Sequence, residues 1–266
     1  MADSVYISTN LTKEQLLFLH LLDENEILYF TISEIEEQLN HKFTNINEVL
    51  ENLVHKVFLY RLQKGYYAVK NFNNQNVIGT FISKNSAVAY WSALSIHGLT
   101  VRFPNRVFIQ TTKRKKDKTI LGVNYKFVTI PERKRAGITT LGYGNNSYPI
   151  TDIEKTIVDC FDLQKYSGGF DLLLSAFAQA KLNSKKMIEY SNSVNNISAI
   201  KRMGFVAELL NKKGLQAFIK YAKLRINKKY NLIDFTGEES GEFVSSWKLR
   251  LNVSRDEILN LSKEFY

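Results

Sequence analysis

The chain has 266 residues, of which 44% are hydrophobic and 12% aromatic, with three prolines, so it can form one large domain or a small and a medium one. No apolar run reaches the roughly 18 residues that a membrane-spanning helix needs, and the first ten residues lack the basic and apolar regions of a signal peptide. The single cysteine, Cys160, excludes an intramolecular disulfide and fits a reducing compartment. We therefore expect a cytoplasmic protein without membrane contact.

Charge is unevenly distributed along the chain. Residues 1–71 carry six Lys or Arg and ten Asp or Glu, a net charge of −4, whereas residues 72–266 carry 30 and 16, a net charge of +14. A basic surface of this size attracts polyanions, and nucleic acid is the commonest polyanion in a cytoplasm. The alternative interpretation is a solvated basic surface without a partner.

The first 71 residues predict three helices followed by a hairpin. Thr12 and Gln15 form a capping box ahead of a leucine-rich helix, and Thr31 to Glu34 form a second box for a helix that ends near Asn40. The third helix has the clearest pattern, because apolar residues recur at helical spacing after a capping Asn45. Two strand-like runs then flank a turn at Gly65.

This order of elements is typical of a winged helix-turn-helix domain. Its third helix enters the major groove of DNA, and its hairpin contacts the backbone or the minor groove. Asn and Thr can read base edges, whereas Glu48 and Glu51 on the same face would repel phosphate, so a protein-interaction module remains an alternative. Base-reading candidates are Thr44, Asn45, Asn47 and Asn52, and phosphate candidates are Lys42, Lys56, Arg61, Lys64 and Lys70.

The rest of the chain predicts a larger mixed α/β domain. Residues 72–76 are polar and without periodicity, which indicates a linker between a first domain at 1–71 and a second at 77–266. We predict a strand at 77–82, a helix from Ser86 to His97 that Gly98 ends, and a helical C-terminal half with a capping box at 151–154. The predicted fold class is α+β.

Two basic clusters flank a predicted strand at 125–130 and would lie at related edges of a sheet. That arrangement suits phosphate contacts, although either cluster could be a solvated loop. The first cluster consists of Lys113, Arg114, Lys115 and Lys116, and the second of Arg133, Lys134 and Arg135.

Signatures of catalysis are few. One cysteine and four scattered histidines do not predict a zinc site, and the glycine-rich loops of nucleotide-binding enzymes are missing, so we expect neither a metal nor a cofactor. Asp117 followed by Glu132 and Lys134 mimics the carboxylates and lysine of a metal-dependent nuclease. A nuclease is therefore an alternative hypothesis, on a weak signal.

Three segments resemble the AbiEi family of antitoxins, which belong to type IV toxin–antitoxin and abortive-infection (phage-defence) loci. They read SALSIHGLT, PNRVFIQTT and TDIEKTIVDCFDLQKYSGGFD. The resemblance covers most of the chain and implies a winged helix ahead of an α/β domain. It implies a non-enzymatic transcriptional regulator, an autorepressor that binds inverted repeats in double-stranded DNA of its own promoter. It also implies an antitoxin that counteracts a nucleotidyltransferase-type toxin without a stable complex.

The DNA-binding residues implied by this resemblance fall within Thr44–Asn52 and Arg61–Tyr66, which adds Tyr66 to the candidates. The acidic first module departs from the expected pattern. Under the family interpretation, basic residues of the second domain share the phosphate contacts.

Overall fold

The computed structural model describes residues 10–264, which fold into two compact units. The first unit comprises residues 10–82 and Tyr143–Ser147, and the second comprises Ser83–Gly142 and residues 148–264. Helices and sheets are mixed along the chain. The predicted α+β class is therefore confirmed. No helix within residues 10–264 has the length and apolar character needed to cross a membrane.

The first unit combines helices with a three-stranded antiparallel sheet of order β1-β3-β2. Three helices followed by a hairpin appear in the predicted order. The elements are α1 (Lys13–Glu24), β1 (Tyr29–Thr31), α2 (Ile35–Gln38), α3 (Ile46–His55), β2 (Leu59–Gln63), β3 (Tyr66–Val69) and α4 (Gln75–Phe81).

Local signals placed most of these boundaries correctly. Thr12 and Gln15 form the expected capping box of α1, and the Asn45 side chain caps α3 by accepting from the backbone N of Glu48. Gly65 has φ +78°, as the β2–β3 turn requires. The second capping box was wrong, because Thr31 lies in β1 and its hydroxyl bonds the Glu34 carboxylate instead of a backbone N–H.

The first unit has an apolar core to which α3 is fixed. Phe18 of α1 is fully buried and meets the rings of Phe30 and Phe43 edge-on. Leu50 and Leu53 of α3 are buried in the same cluster. Burial of these two leucines orients the opposite, polar side of the helix toward solvent.

Segment 72–82 differs from the prediction. The side chain of Asn74 accepts from the backbone N of Asn76 and Val77, and thereby opens α4 inside the supposed linker. The predicted strand at 77–82 was wrong, because the buried run is helical. A short apolar run is compatible with a buried helix or a buried strand, so its periodicity did not decide between them.

The second unit is built on a mixed six-stranded sheet of order β6-β7-β5-β4-β9-β8. The pairs β5–β7 and β4–β9 are parallel, and the other neighbours are antiparallel. The elements of this part are β4 (Ser86–Val88), α5 (Tyr90–Ile96), β5 (Val107–Thr111), β6 (Lys118–Ile120), β7 (Val123–Thr129), β8 (Ile138–Leu141) and β9 (Tyr148–Thr151).

The predicted helix from Ser86 begins later than expected. Ser86–Val88 pairs with β5 and β9 in the middle of the sheet, and the helix starts only at Tyr90, which has φ +56° and a buried ring. Both faces of β4 are buried, so its residues are apolar without the alternation that would have indicated a strand. Gly98 follows the helix with φ +68°, as predicted.

The C-terminal half of the second unit is mainly helical, as predicted, and includes a small sheet of order β10-β12-β11. The cap of α6 is Asp152, not Thr151, which ends β9. The elements are α6 (Ile153–Asp162), α7 (Phe170–Gln179), α8 (Ser184–Val194), α9 (Ile197–Leu209), α10 (Gln216–Leu224), β10 (Asn231–Leu232), β11 (Glu242–Val244), β12 (Leu249–Leu251) and α11 (Arg255–Leu261).

Candidate nucleic-acid interface

The first turn of α3 presents polar side chains to solvent. Thr44, Asn45, Asn47 and Glu48 are exposed, whereas Asn52 is half-buried. Asn and Thr have the donors and acceptors that can read base edges in the major groove. The structure therefore concentrates the base-reading candidates at the N-terminal end of the helix.

Asn45 has a structural task at this end of the helix. Its Oδ1 accepts from the backbone N of Glu48 at 3.3 Å, and its Nδ2 donates to Glu48 Oε2 at 3.1 Å. The backbone N of Thr44 donates to Glu14 Oε1 at 3.2 Å, which ties the loop before α3 to α1. Asn47 is thus the exposed amide of the first turn that does not serve as the cap.

The cationic candidates of the first unit divide into exposed and engaged residues. Lys42 and Lys64 are exposed. Arg61 Nη1 lies 2.9 Å from Glu51 Oε1, so a predicted phosphate donor neutralises a carboxylate predicted to repel phosphate. Lys56 Nζ donates to Asn10 O at 2.6 Å and to Gln15 Oε1 at 2.8 Å, which joins the end of α3 to α1.

The remaining candidates near the hairpin, Tyr66 and Lys70, differ in their exposure to solvent. The Tyr66 ring is half-buried and meets the Phe81 ring at 5.2 Å between centroids. Lys70 is exposed just after β3. Tyr66 therefore packs the hairpin onto α4.

The two basic clusters of the second unit leave the same edge of the sheet. Strands β5 and β7 are parallel, with Thr111 opposite Thr129, so the segments after both strands begin side by side. In the first cluster Lys113, Arg114 and Lys116 are exposed. Their side chains are available for phosphate contacts.

Lys115 and Asp117 attach the first cluster to β7. Lys115 is half-buried with its Nζ 5.2 Å from the centre of the Phe127 ring, and burial lowers its pKa. Asp117 accepts from Lys126 Nζ at 2.8 Å and from the backbone N of Phe127 at 3.2 Å. These contacts fix the loop against β7.

The second cluster is largely part of the scaffold. Arg133 Nη1 donates to the carbonyl oxygens of Ser193 and Val194, both at 2.9 Å, and so satisfies the end of α8. Lys134 Nζ lies 2.5 Å from Asp162 Oδ2, with both side chains mostly buried. Arg135 is near Glu132, at 3.7 Å between Nη1 and Oε1. Arg133 and Lys134 thus tie this turn to α8 and α6, whereas Arg135 is exposed and its contact with Glu132 is local.

Arg133 and Lys134 nevertheless border an open groove of about 440 Å³ that sequence reasoning missed. Its walls carry four asparagine amides and the Ser198 hydroxyl, which can bond phosphate oxygens or base edges, beside the Asp162 carboxylate. The run of polar residues between α8 and α9 was the available sequence signal. Further lining residues are Asn195, Asn196, Ser198, Asn227, Lys229 and Asn231.

The three residues of the alternative nuclease hypothesis each have a partner of their own or lie in a local turn. Asp117 is engaged by Lys126, and Lys134 by Asp162, while Glu132 sits in a 3-10 turn at Glu132–Lys134. Across residues 10–264, no three Cys, His, Asp or Glu side chains come together in a way that could hold a metal ion.

The fold is similar to that of the RV2827C protein from Mycobacterium tuberculosis, known from a crystal structure. The TM-score is 0.69, with 99% of each chain covered and 12% sequence identity. A likeness at this identity shows a shared fold alone. No protein family model and no curated protein matches the sequence.

Proposed function

We propose that the protein is a DNA-binding antitoxin of the AbiEi type that represses its own operon through inverted repeats in the promoter. The observation that carries the DNA-binding part is the exposed polar turn at the start of α3, held by an apolar core and followed by a hairpin. This arrangement suits a winged helix-turn-helix that inserts α3 into the major groove.

The antitoxin part rests on the resemblance of the three sequence segments to AbiEi proteins. It makes a nucleotidyltransferase-type toxin the functional partner, without a stable complex, in a cytoplasmic setting. Such an antitoxin needs no catalytic group of its own. Co-expression with the toxin gene would test this part, and growth arrest that persists with the antitoxin present would contradict it.

The structure sharpens how DNA contacts would divide among the candidates. Asn47 is the base-reading candidate, because Asn45 is occupied as a cap. Lys113, Arg114 and Lys116 are the phosphate candidates, because they are exposed and Arg133 and Lys134 are engaged. We therefore assign specificity to α3 and salt-dependent affinity to the loop after β5.

Fluorescence anisotropy with a duplex of the protein's own promoter and a scrambled duplex tests this assignment. Asn47→Ala should lower the preference for the promoter by roughly 5- to 150-fold, because a bidentate hydrogen-bond pair to a base is worth about 1–3 kcal/mol of discrimination. Absence of any preference in the wild-type protein would contradict the repressor proposal.

Replacing Lys113, Arg114 and Lys116 together by Gln should weaken binding to both duplexes alike. The slope of log affinity against log salt should become shallower by about 0.9 for each phosphate that the variant no longer neutralises. Gln at Lys185, Lys213 and Lys220, which are exposed elsewhere on the second unit, is the matched control for net charge. Equal effects of the two triple variants would place the phosphate contacts elsewhere.

A further inference from the structure

Helix α9 carries two adjacent cations into the interior of the second unit. Lys201 is fully buried, and its Nζ donates to Lys229 O at 2.6 Å, Lys248 O at 3.2 Å and Asn227 Oδ1 at 3.2 Å. Three acceptors satisfy all three N–H groups of an ammonium. Lys201 therefore fastens the strands of the small sheet to α9, and its hydrogen-bonding capacity is used up.

Arg202, the next residue, is in a different situation. It is only 6% exposed, and its Nε donates to Leu232 O at 2.8 Å. Within residues 10–264 no carboxylate lies within 4 Å of its guanidinium, although Asp234 attracts it from a greater distance. Burial lowers its pKa to about 10, so the group stays charged at neutral pH.

An uncompensated buried charge is costly. Removing an ion from water is unfavourable unless a counter-ion and hydrogen bonds replace the lost hydration. A guanidinium has five N–H groups in a planar fork that matches phosphate or carboxylate oxygens. Arg202 is thus a buried cation for which the described residues supply no anion within 4 Å.

Arg202 lines a cleft of about 450 Å³, a size typical of small-ligand sites. Lys229 and Arg250 line the same cleft, against one acidic residue, Glu239. The Nε of Arg250 is buried and has no hydrogen-bond partner. The unsatisfied buried donor of Arg250 is a separate observation that points to an anionic ligand.

Aromatic rings border the cleft beside these cations. Phe243 is 58% exposed and Phe235 51% exposed, although large apolar side chains normally avoid water. Tyr230 meets Phe243 edge-on at 5.2 Å, and the Arg250 guanidinium lies 5.0 Å from the centre of the Phe243 ring. Exposed rings next to phosphate-binding groups are the arrangement in which proteins stack nucleobases.

We propose that this cleft binds a nucleotide, with its phosphate held by Arg202, Arg250 and Lys229 and its base stacked on Phe243 or Phe235. The proposal is independent of promoter binding, because none of these residues belongs to α3 or to the loop after β5. The cleft shares Lys229 and Asn231 with the amide-lined groove beside Arg133. A nucleotide in the cleft would therefore change the charge at one end of that groove.

Isothermal titration calorimetry on the full chain tests the proposal with AMP, GMP, CMP, UMP, adenosine and inorganic phosphate, each titrated separately. At least one mononucleotide should bind on the order of tenfold or more tightly than phosphate or adenosine, because stacking adds to the phosphate contacts. If phosphate bound as tightly as the tightest mononucleotide, the stacking arrangement would be overturned. If none of the four mononucleotides bound measurably, the whole proposal would be overturned.

Two variants at the cleft locate the binding. Arg250→Gln and Phe243→Leu should each weaken nucleotide binding on the order of tenfold, whereas Lys220→Gln, on an exposed face of α10, should leave it unchanged. Unchanged affinity in both cleft variants would overturn the assignment. Arg202→Gln should abolish binding, with circular dichroism as the check that the variant remains folded. Promoter binding, measured in parallel, reports separately on the proposed repressor function.

Discussion

The two units of the molecule differ in where their charged side chains lie. In the first unit the core is apolar, and the pair Arg61–Glu51 lies at the surface. Within residues 10–264 the charged residues that are buried, namely Glu154, Lys155, Asp159, Lys201 and Arg202, all belong to the second unit, as does the mostly buried pair of Lys134 and Asp162. The five buried residues are three cations and two anions, so the number of cations in the sequence overstates the number at the surface, although the net charge of +14 hardly changes. Composition predicts the sign of a partner's charge better than it predicts which cations meet that partner.

Of the variants considered, Lys155→Met should lower the free energy of unfolding the most. The Lys155 ammonium contacts the Asp159 carboxylate one turn further along α6, and both side chains are buried. Burial raises the pKa of Asp159, and the attraction of Lys155 offsets only part of that rise. Removing one partner leaves an unpaired buried charge, so we expect a loss of about 3–5 kcal/mol in the free energy of unfolding. Urea denaturation followed by fluorescence measures it.

The double variant Lys155→Met, Asp159→Leu is the control for that measurement. It should recover most of the lost stability, because replacing both charges removes the cost of burying either one. A double variant as unstable as the single one would mean that the pair acts through packing and not through charge. Arg61→Gln in the first unit should cost less than about 1 kcal/mol, as surface pairs do.

Lys201→Met should have the next largest effect. Loss of the ammonium leaves the carbonyl oxygen of Lys229 without this donor and leaves Lys248 O with the backbone N of Asn231 alone, and an acceptor left unsatisfied away from water costs about 1–3 kcal/mol. We expect destabilisation of about 2 kcal/mol and faster hydrogen exchange in the small sheet. Full stability together with unchanged exchange would show that water replaces the ammonium there.

Asn45 tests the contrast in the first unit, where a structural polar residue lies near Asn47, the base-reading candidate that we propose. Asn45→Ala should cost about 1 kcal/mol of stability, because the cap of α3 is lost. Asn45→Ser should retain both the cap and the preference for the promoter. Loss of preference in Asn45→Ser at full stability would assign base reading to Asn45 and remove our reason for favouring Asn47.

Local signals predicted much of the fold. The capping residues Thr12 and Asn45 and the turns at Gly65 and Gly98 depend on near neighbours, and all four lie where expected. Long-range packing decided the rest, since both faces of β4 are buried and its residues mimic a helix.

The candidate interface was less predictable than the fold. The sequence contains the cations but not their partners, so the engagement of Arg61 by Glu51 and of Lys134 by Asp162 had no local signal. No local signal indicated that Tyr143–Ser147 belongs to the first unit, where Asn145 Nδ2 donates to Glu26 O at 2.6 Å. Charge patterns predict candidates, and only tertiary contacts divide them into scaffold and surface.

The smallest expected effect concerns Glu208, a surface carboxylate of the second unit. Burial alone would raise its pKa, but hydrogen bonds from Lys223 and from Trp247 Nε1, the latter at 2.6 Å, outweigh it and hold the pKa below 4.5. A carboxylate with a lowered folded-state pKa contributes stability above its unfolded pKa and loses it as pH falls through the folded value.

The stability difference between the wild-type protein and Glu208→Gln should accordingly be below about 1 kcal/mol at pH 7 and shrink as pH falls below 4.5. Thermal unfolding of both proteins between pH 3 and pH 7 measures it. The Glu208 side chain is 43% exposed and that of Glu51 44%, so water screens both alike. A much larger effect at Glu208 would mean that the two units differ in their surface pairs as well as in their interiors, and burial alone would no longer explain the contrast.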